Sequence, residues 1–72
     1  MNYKNRVVQD PNILVGKPVI KGTRIPVDLI LKKLAQNISI DEVLKDFPRL
    51  TKEDVQAAIF YAEELVEEQI SA

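Results

Sequence analysis

Two helix starts of the same design lie close together in this chain, Ser39-Ile40-Asp41-Glu42 and Thr51-Lys52-Glu53-Asp54. In each, an N-cap hydroxyl can accept from the backbone N–H three residues on, and the carboxylate at that third position can reach back. Ile38 with Val43, and Leu50 with Val55, are spaced as hydrophobic staples across the two starts. Pro48 disfavours helical geometry at the residue before it, so the helix opened by Ser39 ends near Phe47. The chain is thereby held to a short helix, a tight turn and a longer helix, the layout of a helix-turn-helix unit.

The segments on either side follow from periodicity. From Pro26 onward, Val27, Ile30, Leu31, Leu34 and Ile38 recur at helical spacing. Pro26 suits the first helical position, Asp28 suits the positive end of the helix dipole, and Lys32 and Lys33 suit the negative end. Asn37 can stop this helix in the left-handed conformation. The third helix is expected from Lys52 to about Gln69, with Val55, Ala58, Ile59, Ala62, Leu65 and Val66 as its buried stripe. Upstream, residues 6–9 and Pro18-Val19-Ile20 suit two short strands, the second an edge strand because Pro18 cannot donate to a ladder. Asp10-Pro11-Asn12 and Gly22-Thr23 supply the turns. The expected fold is mainly α and forms one domain over 1–72: a short N-terminal β-hairpin within 1–25, followed by a three-helix bundle within 26–69.

Composition narrows the function. With no cysteine and no histidine, disulfides, thiolate nucleophiles, zinc clusters and imidazole bases are all excluded. Gly16 and Gly22 lack the spacing of a phosphate-binding Walker loop, and Thr23 follows Gly22 with no lysine between them. No paired carboxylates or nucleophile–base pair stands elsewhere, so the chain is read as a non-enzyme without metal or cofactor. The N-terminus has no signal-peptide core and no apolar run is long enough for a membrane span, which makes a cytoplasmic protein the expectation. The net charge of −1 hides an asymmetry. Residues 1–52 carry all ten Lys and Arg against five acids, a net of +5, whereas residues 53–72 carry six acids and no base. Such a split suggests two surfaces with different partners.

In a helix-turn-helix, the first turn of the second helix meets base edges. Thr51, Lys52 and Gln56 occupy that place here, with Lys52 suited to guanine or a phosphate and Gln56 to adenine. Lys45 and Arg49 flank the turn, and Lys17, Lys21 and Arg24 punctuate the glycine-containing stretch; all five are candidate phosphate ligands. On the third helix, Phe60 falls on the polar side with Glu64 and Glu67 and marks a candidate surface for a partner or a second copy.

Residues 10–62, from Asp10-Pro11 through Gly16-Lys-Pro-Val-Ile-Lys-Gly-Thr-Arg-Ile-Pro-Val27 to Phe47-Pro-Arg-Leu-Thr51 and Tyr61-Ala62, resemble the bacterial and archaeal domain of unknown function 433. Asn37 departs from that pattern, where relatives usually carry Gly. The resemblance implies a winged or homeodomain-like helix-turn-helix. It also implies a VapB-type antitoxin encoded beside a PIN-like ribonuclease toxin, which binds its own promoter on double-stranded DNA and sequesters the toxin. Gly22, Thr23 and Arg24 then belong to the family's most distinctive motif, and Lys52 and Gln56 to the recognition helix. The expectation is therefore a homodimeric DNA-binding antitoxin. The competing one is a small helical adaptor that binds protein and never meets DNA.

Overall fold

A computed structural model of the 72-residue chain describes residues 5–70. The ends of the 1–72 assignment, residues 1–4 and 71–72, lie outside the described residues. Two strands, β1 (Val7–Gln9) and β2 (Pro18–Ile20), form an antiparallel pair with Val7 opposite Ile20, Val8 opposite Val19 and Gln9 opposite Pro18. Three helices follow: α1 (Val27–Ala35), α2 (Ile40–Asp46) and α3 (Lys52–Ile70). The architecture is thus a mainly helical small domain in which a two-stranded hairpin precedes three helices, as the sequence leads one to expect.

Local chemistry explains each boundary. Thr23 shapes the turn after β2: its hydroxyl donates to the Ile20 carbonyl at 2.7 Å and accepts from the Ile25 N–H at 3.0 Å. Gly22 sits there at φ +81°, a conformation that costs glycine nothing. Pro26 caps α1 from just outside it, with extended φ/ψ, one residue earlier than a first helical position. At the other end Asn37 takes φ 65°. Its N–H donates to Leu34 and that of Ile38 to Lys33, the paired bonds of a Schellman stop. Ser39 Oγ accepts from the Glu42 N–H at 3.2 Å and so opens α2. The second box closes in both directions: Thr51 Oγ1 accepts from the Asp54 N–H at 3.2 Å, and Asp54 Oδ2 accepts from the Thr51 N–H at 2.9 Å.

Val7, Ile20, Val27, Ile30, Val43, Leu50, Val55, Ala57 and Ala58 form the core, so every element contributes to it. Ile38, the outer member of the first staple, packs against that core, and Leu50 of the second staple lies within it.

The stripe expected along α3 is corrected by the structure. Val55 and Ala58 are buried, and Ala57 and Asp54 join them, but Ile59, Leu65 and Val66 are 43%, 44% and 53% exposed. Ile59 lies at the margin of the side of α3 that carries Asp54, Val55 and Ala58, Leu65 lines an open groove with Leu31 of α1, and Val66 follows toward the C-terminal end of the helix.

The connection between the strands holds a second surprise. Leu14–Gly16 forms one 3₁₀ turn of left-handed backbone, with φ of 50°, 57° and 80° at Leu14, Val15 and Gly16. Valine is a poor choice for that conformation, because its Cβ crowds the following carbonyl at a cost of roughly 1–2 kcal/mol. Val15 is also 96% exposed and gains nothing from burial. Val15→Gly removes the strain and adds the larger unfolded-state entropy of glycine, which offsets part of the gain. It is expected to raise stability by about 0.5–1 kcal/mol in urea denaturation. A loss of stability there would mean that the valine side chain packs somewhere after all.

Candidate nucleic-acid interface

Three loops meet at one end of the domain. The Lys21 N–H donates to the Arg6 carbonyl at 2.8 Å, which seats the turn after β2 against the start of β1. Arg6 in turn sends Nη1 to Asp54 Oδ1 at 3.0 Å, tying β1 to the first turn of α3. Arg49, in the turn between α2 and α3, donates from Nη2 to the Gly22 carbonyl at 3.3 Å. Residues far apart in sequence thus bring Arg6, Lys21, Arg24, Arg49 and Lys52 to one end of the fold. Glu53 and Asp54 are the acids there, and Asp54 is occupied on both oxygens by Arg6 and Thr51.

Each residue singled out from the sequence now has a place. Lys21 and Arg24 are exposed in the turn after β2, and their side chains make no hydrogen bond or ion pair among the described residues. Lys52 and Gln56 are exposed on the first turns of α3, with side chains equally uncommitted among those residues. Thr51 Oγ1 is used as an acceptor by the Asp54 N–H, which leaves its O–H available to donate. Lys45 is exposed at the last turn of α2.

Lys17 lies at the other end of β2, away from Lys21. It donates to Asp28 Oδ2 at 2.8 Å and, with Asp28, lines a groove between β2, α1 and α3. This hydrogen bond holds the Asp28 carboxyl below its ordinary pKa. A lowered carboxylate stabilises the fold above about pH 4 and loses that contribution as pH falls through the lowered value; the exposure of both partners keeps it small. Lys33, a further basic residue of α1, is engaged by Asp46 at 3.4 Å and by the Phe47 ring at 5.6 Å. Phe60 is 44% exposed, Glu67 is exposed and Glu64 half-buried, all farther along α3 than the basic end.

Asp54 is the residue that sequence reasoning undervalued. Its capping role is visible in Thr51-x-x-Asp54, but the pairing with Arg6 spans 48 residues and leaves no spacing to read. Its burial, at 8% exposure, is the consequence. No helix among the described residues is long and apolar enough to cross a membrane.

A family model described as "Protein of unknown function (DUF433)" matches residues 7–62. Uncharacterized protein y4eO of Sinorhizobium fredii is 39% identical over 57 residues, 79% of this chain and 26% of that protein. An uncharacterized protein of Archaeoglobus fulgidus is 74% identical over 23 residues, 32% of this chain and 64% of that one. The crystal structure of a DUF433 member protein from Anabaena variabilis matches with a TM-score of 0.82 at 34% identity, over 90% of this chain and 64% of that one. The chain therefore spans less than two thirds of the length of each of these relatives. It shares their hairpin-plus-three-helix fold where a structure permits the comparison. With the family's model running from β1 to the middle of α3, the chain belongs to the DUF433 family.

Proposed function

We propose that this protein binds double-stranded DNA through its basic end and acts as an antitoxin, repressing its own promoter and neutralising a PIN-like ribonuclease toxin. The observation that carries the DNA half is the Arg49–Gly22 hydrogen bond, which sets the turn bearing Lys21 and Arg24 beside the turn that leads into α3. Lys21 and Arg24 on one loop and Arg49, with one exposed bond to Gly22, on the adjoining loop suit the phosphates on either side of a groove, and the first turn of α3 then points Lys52 and Gln56 at base edges. Glu53 opposes phosphate there and suits a cytosine amino group instead. Two copies on a two-fold operator present two basic ends to the DNA with the acidic halves of α3 farther off, so the local charge and not the slightly acidic total governs the approach. The antitoxin half rests on the family resemblance, and the exposed apolar residues of α3 supply it with a surface for a protein partner.

The test is a gel-shift series with the protein's own upstream DNA and a scrambled control, from about 50 to 200 mM salt, with and without the product of the neighbouring gene. A sequence-dependent shift is expected, with log K falling by roughly 3–4 per tenfold rise in salt for each chain bound. If neither DNA shifts at the lowest salt under either condition, the DNA-binding reading is wrong and the adaptor reading takes its place.

A further inference from the structure

The C-terminal half of α3 carries a feature that DNA binding does not use. Beyond Ala58, Ile59, Ala62, Leu65 and Val66 share one side of the helix. Three of the four are between 43% and 53% exposed. The stripe continues into an open groove of about 240 Å³ walled by apolar side chains, Val27, Leu31 and Leu65 among them, and lined also by the Lys17–Asp28 ion pair, whose two charges offset each other. Groove and stripe meet at Ala62 and Leu65 and together form a continuous apolar track.

The charge around this track selects its occupant. At 100° per residue Glu63 borders the stripe on one side and Glu68 on the other, with Glu64 and Glu67 behind them. No basic residue stands between Glu53 and the end of the chain. The acids already crowd one another: Glu67, one turn on, pushes the Glu63 carboxyl above its ordinary pKa. A two-fold interface through this face sets the same patch against itself, acid against acid, so a second copy is a poor fit. A partner that buries the apolar stripe and brings cations to its edges relieves the repulsion and gains the burial.

We infer that the C-terminal half of α3 and the adjoining groove form a docking surface for a basic amphipathic helix of another protein, an apolar stripe edged with Lys or Arg. Recognition follows the helix-in-groove mode, in which apolar anchors supply affinity and edge charges supply orientation and rate. The surface lies away from the first turn of α3, so the protein can hold DNA and this partner at once. The inference stands whether or not DNA is bound, and it gives the protein partner of the antitoxin reading a chemistry.

Three synthetic peptides provide the test: one with Leu at i, i+3, i+4 and i+7 and Lys at the flanking positions, its twin with Glu for every Lys, and a scrambled form of the first. Binding is read by fluorescence anisotropy, and the site by methyl shifts of Ile59, Leu65 and Val66. The basic peptide is expected to bind and to move those methyls, with the twin and the scrambled form at least about tenfold weaker. Glu63→Gln/Glu67→Gln is expected to weaken the basic peptide severalfold. Because this variant relieves repulsion within the helix, that loss cannot be ascribed to unfolding. Leu65→Ser/Val66→Ser should weaken binding about tenfold with the fold intact by circular dichroism. Equal binding of all three peptides, or shifts confined to other methyls, overturns the inference. So does a concentration-dependent dimer in sedimentation that Val66→Ser dissolves, since a second copy would then be the occupant. None of these measurements involves Arg24 or Arg49, so failure here leaves the DNA reading untouched, and the reverse holds for the gel shifts.

Discussion

Asp54→Ala is expected to destabilise the protein by about 2–3 kcal/mol, from removal of an N-terminal cap interaction together with a charge-assisted hydrogen bond. Both carboxylate oxygens are in use, one accepting from the Thr51 N–H at 2.9 Å and the other from Arg6 Nη1 at 3.0 Å. The residue is 8% exposed, so neither partner regains a full substitute from water at the cap. The Arg6 side chain, 40% exposed, recovers part of its hydration when the pair is broken, which holds the ion-pair share to the lower part of its range. For a chain of this length total stability is on the order of 4–10 kcal/mol, so a large fraction is at stake. Two companion variants separate the contributions. Asp54→Asn keeps an acceptor for Thr51 and is expected to lose roughly half as much, while Arg6→Ala leaves the cap intact and costs about 1 kcal/mol. Urea midpoints with unchanged slopes are the measurement. A loss below about 0.5 kcal/mol for Asp54→Ala would show that the tie between β1 and α3 carries no weight.

The same variant also reports on function, because its two effects on DNA binding have opposite signs. Removing a carboxylate from the basic end strengthens its attraction for phosphate. Releasing β1 and the turn after β2 from α3 lets Lys21 and Arg24 drift from Arg49 and Lys52. If alignment governs, affinity falls although Asp54 touches no DNA; if bare charge governs, it rises.

What can be read from the sequence is local. Ser39 with Glu42 and Thr51 with Asp54 announce helix starts because a cap and its partner lie three residues apart, and Asn37 announces a stop by its own conformational freedom. The two strands are legible in the same way, from Pro18 and from the turn residues that follow each of them, Asp10-Pro11-Asn12 and Gly22-Thr23. The bonds that assemble the candidate site are not local: Arg6 reaches Asp54 across 48 residues and Arg49 reaches Gly22 across 27. Neither has a spacing that could betray it. Periodicity places Ile59, Leu65 and Val66 on one side of α3, but it states which way a residue faces and not whether anything stands opposite. Only the packing of β2 and α1 around α3, which leaves an open groove at Leu65, settles that. The left-handed turn at Leu14–Gly16 is hidden for a different reason. Leu and Val there argue for extended chain, and local preference gives way to the geometry that brings Pro18 back opposite Gln9.

Arg24→Ala/Arg49→Ala/Lys52→Ala is expected to weaken binding to the protein's own upstream DNA on the order of a hundredfold at moderate salt, at about 1 kcal/mol for each phosphate interaction removed. The salt dependence is the sharper readout. Each cation that releases a counterion contributes about 0.9 to the slope of log K against log salt, so the triple variant should flatten it by roughly 2.7 per chain. Stability should hardly change. Arg24 and Lys52 are exposed and uncommitted among the described residues, and Arg49 gives up one exposed hydrogen bond of 3.3 Å, together within about 1 kcal/mol. Gln56→Ala makes the contrasting control, since removing a hydrogen bond to a base edge should relax sequence preference by about tenfold while leaving the slope alone. Three results divide the possibilities. A flattened slope with intact folding puts the phosphates at this end of the domain. An unchanged slope with DNA still bound sends them to another face, such as the one bearing exposed Lys32 or that bearing exposed Lys45. A marked loss of stability from Arg24→Ala alone makes that arginine a tether between the hairpin turn and the helices, and leaves Lys21, Arg49 and Lys52 to hold the DNA.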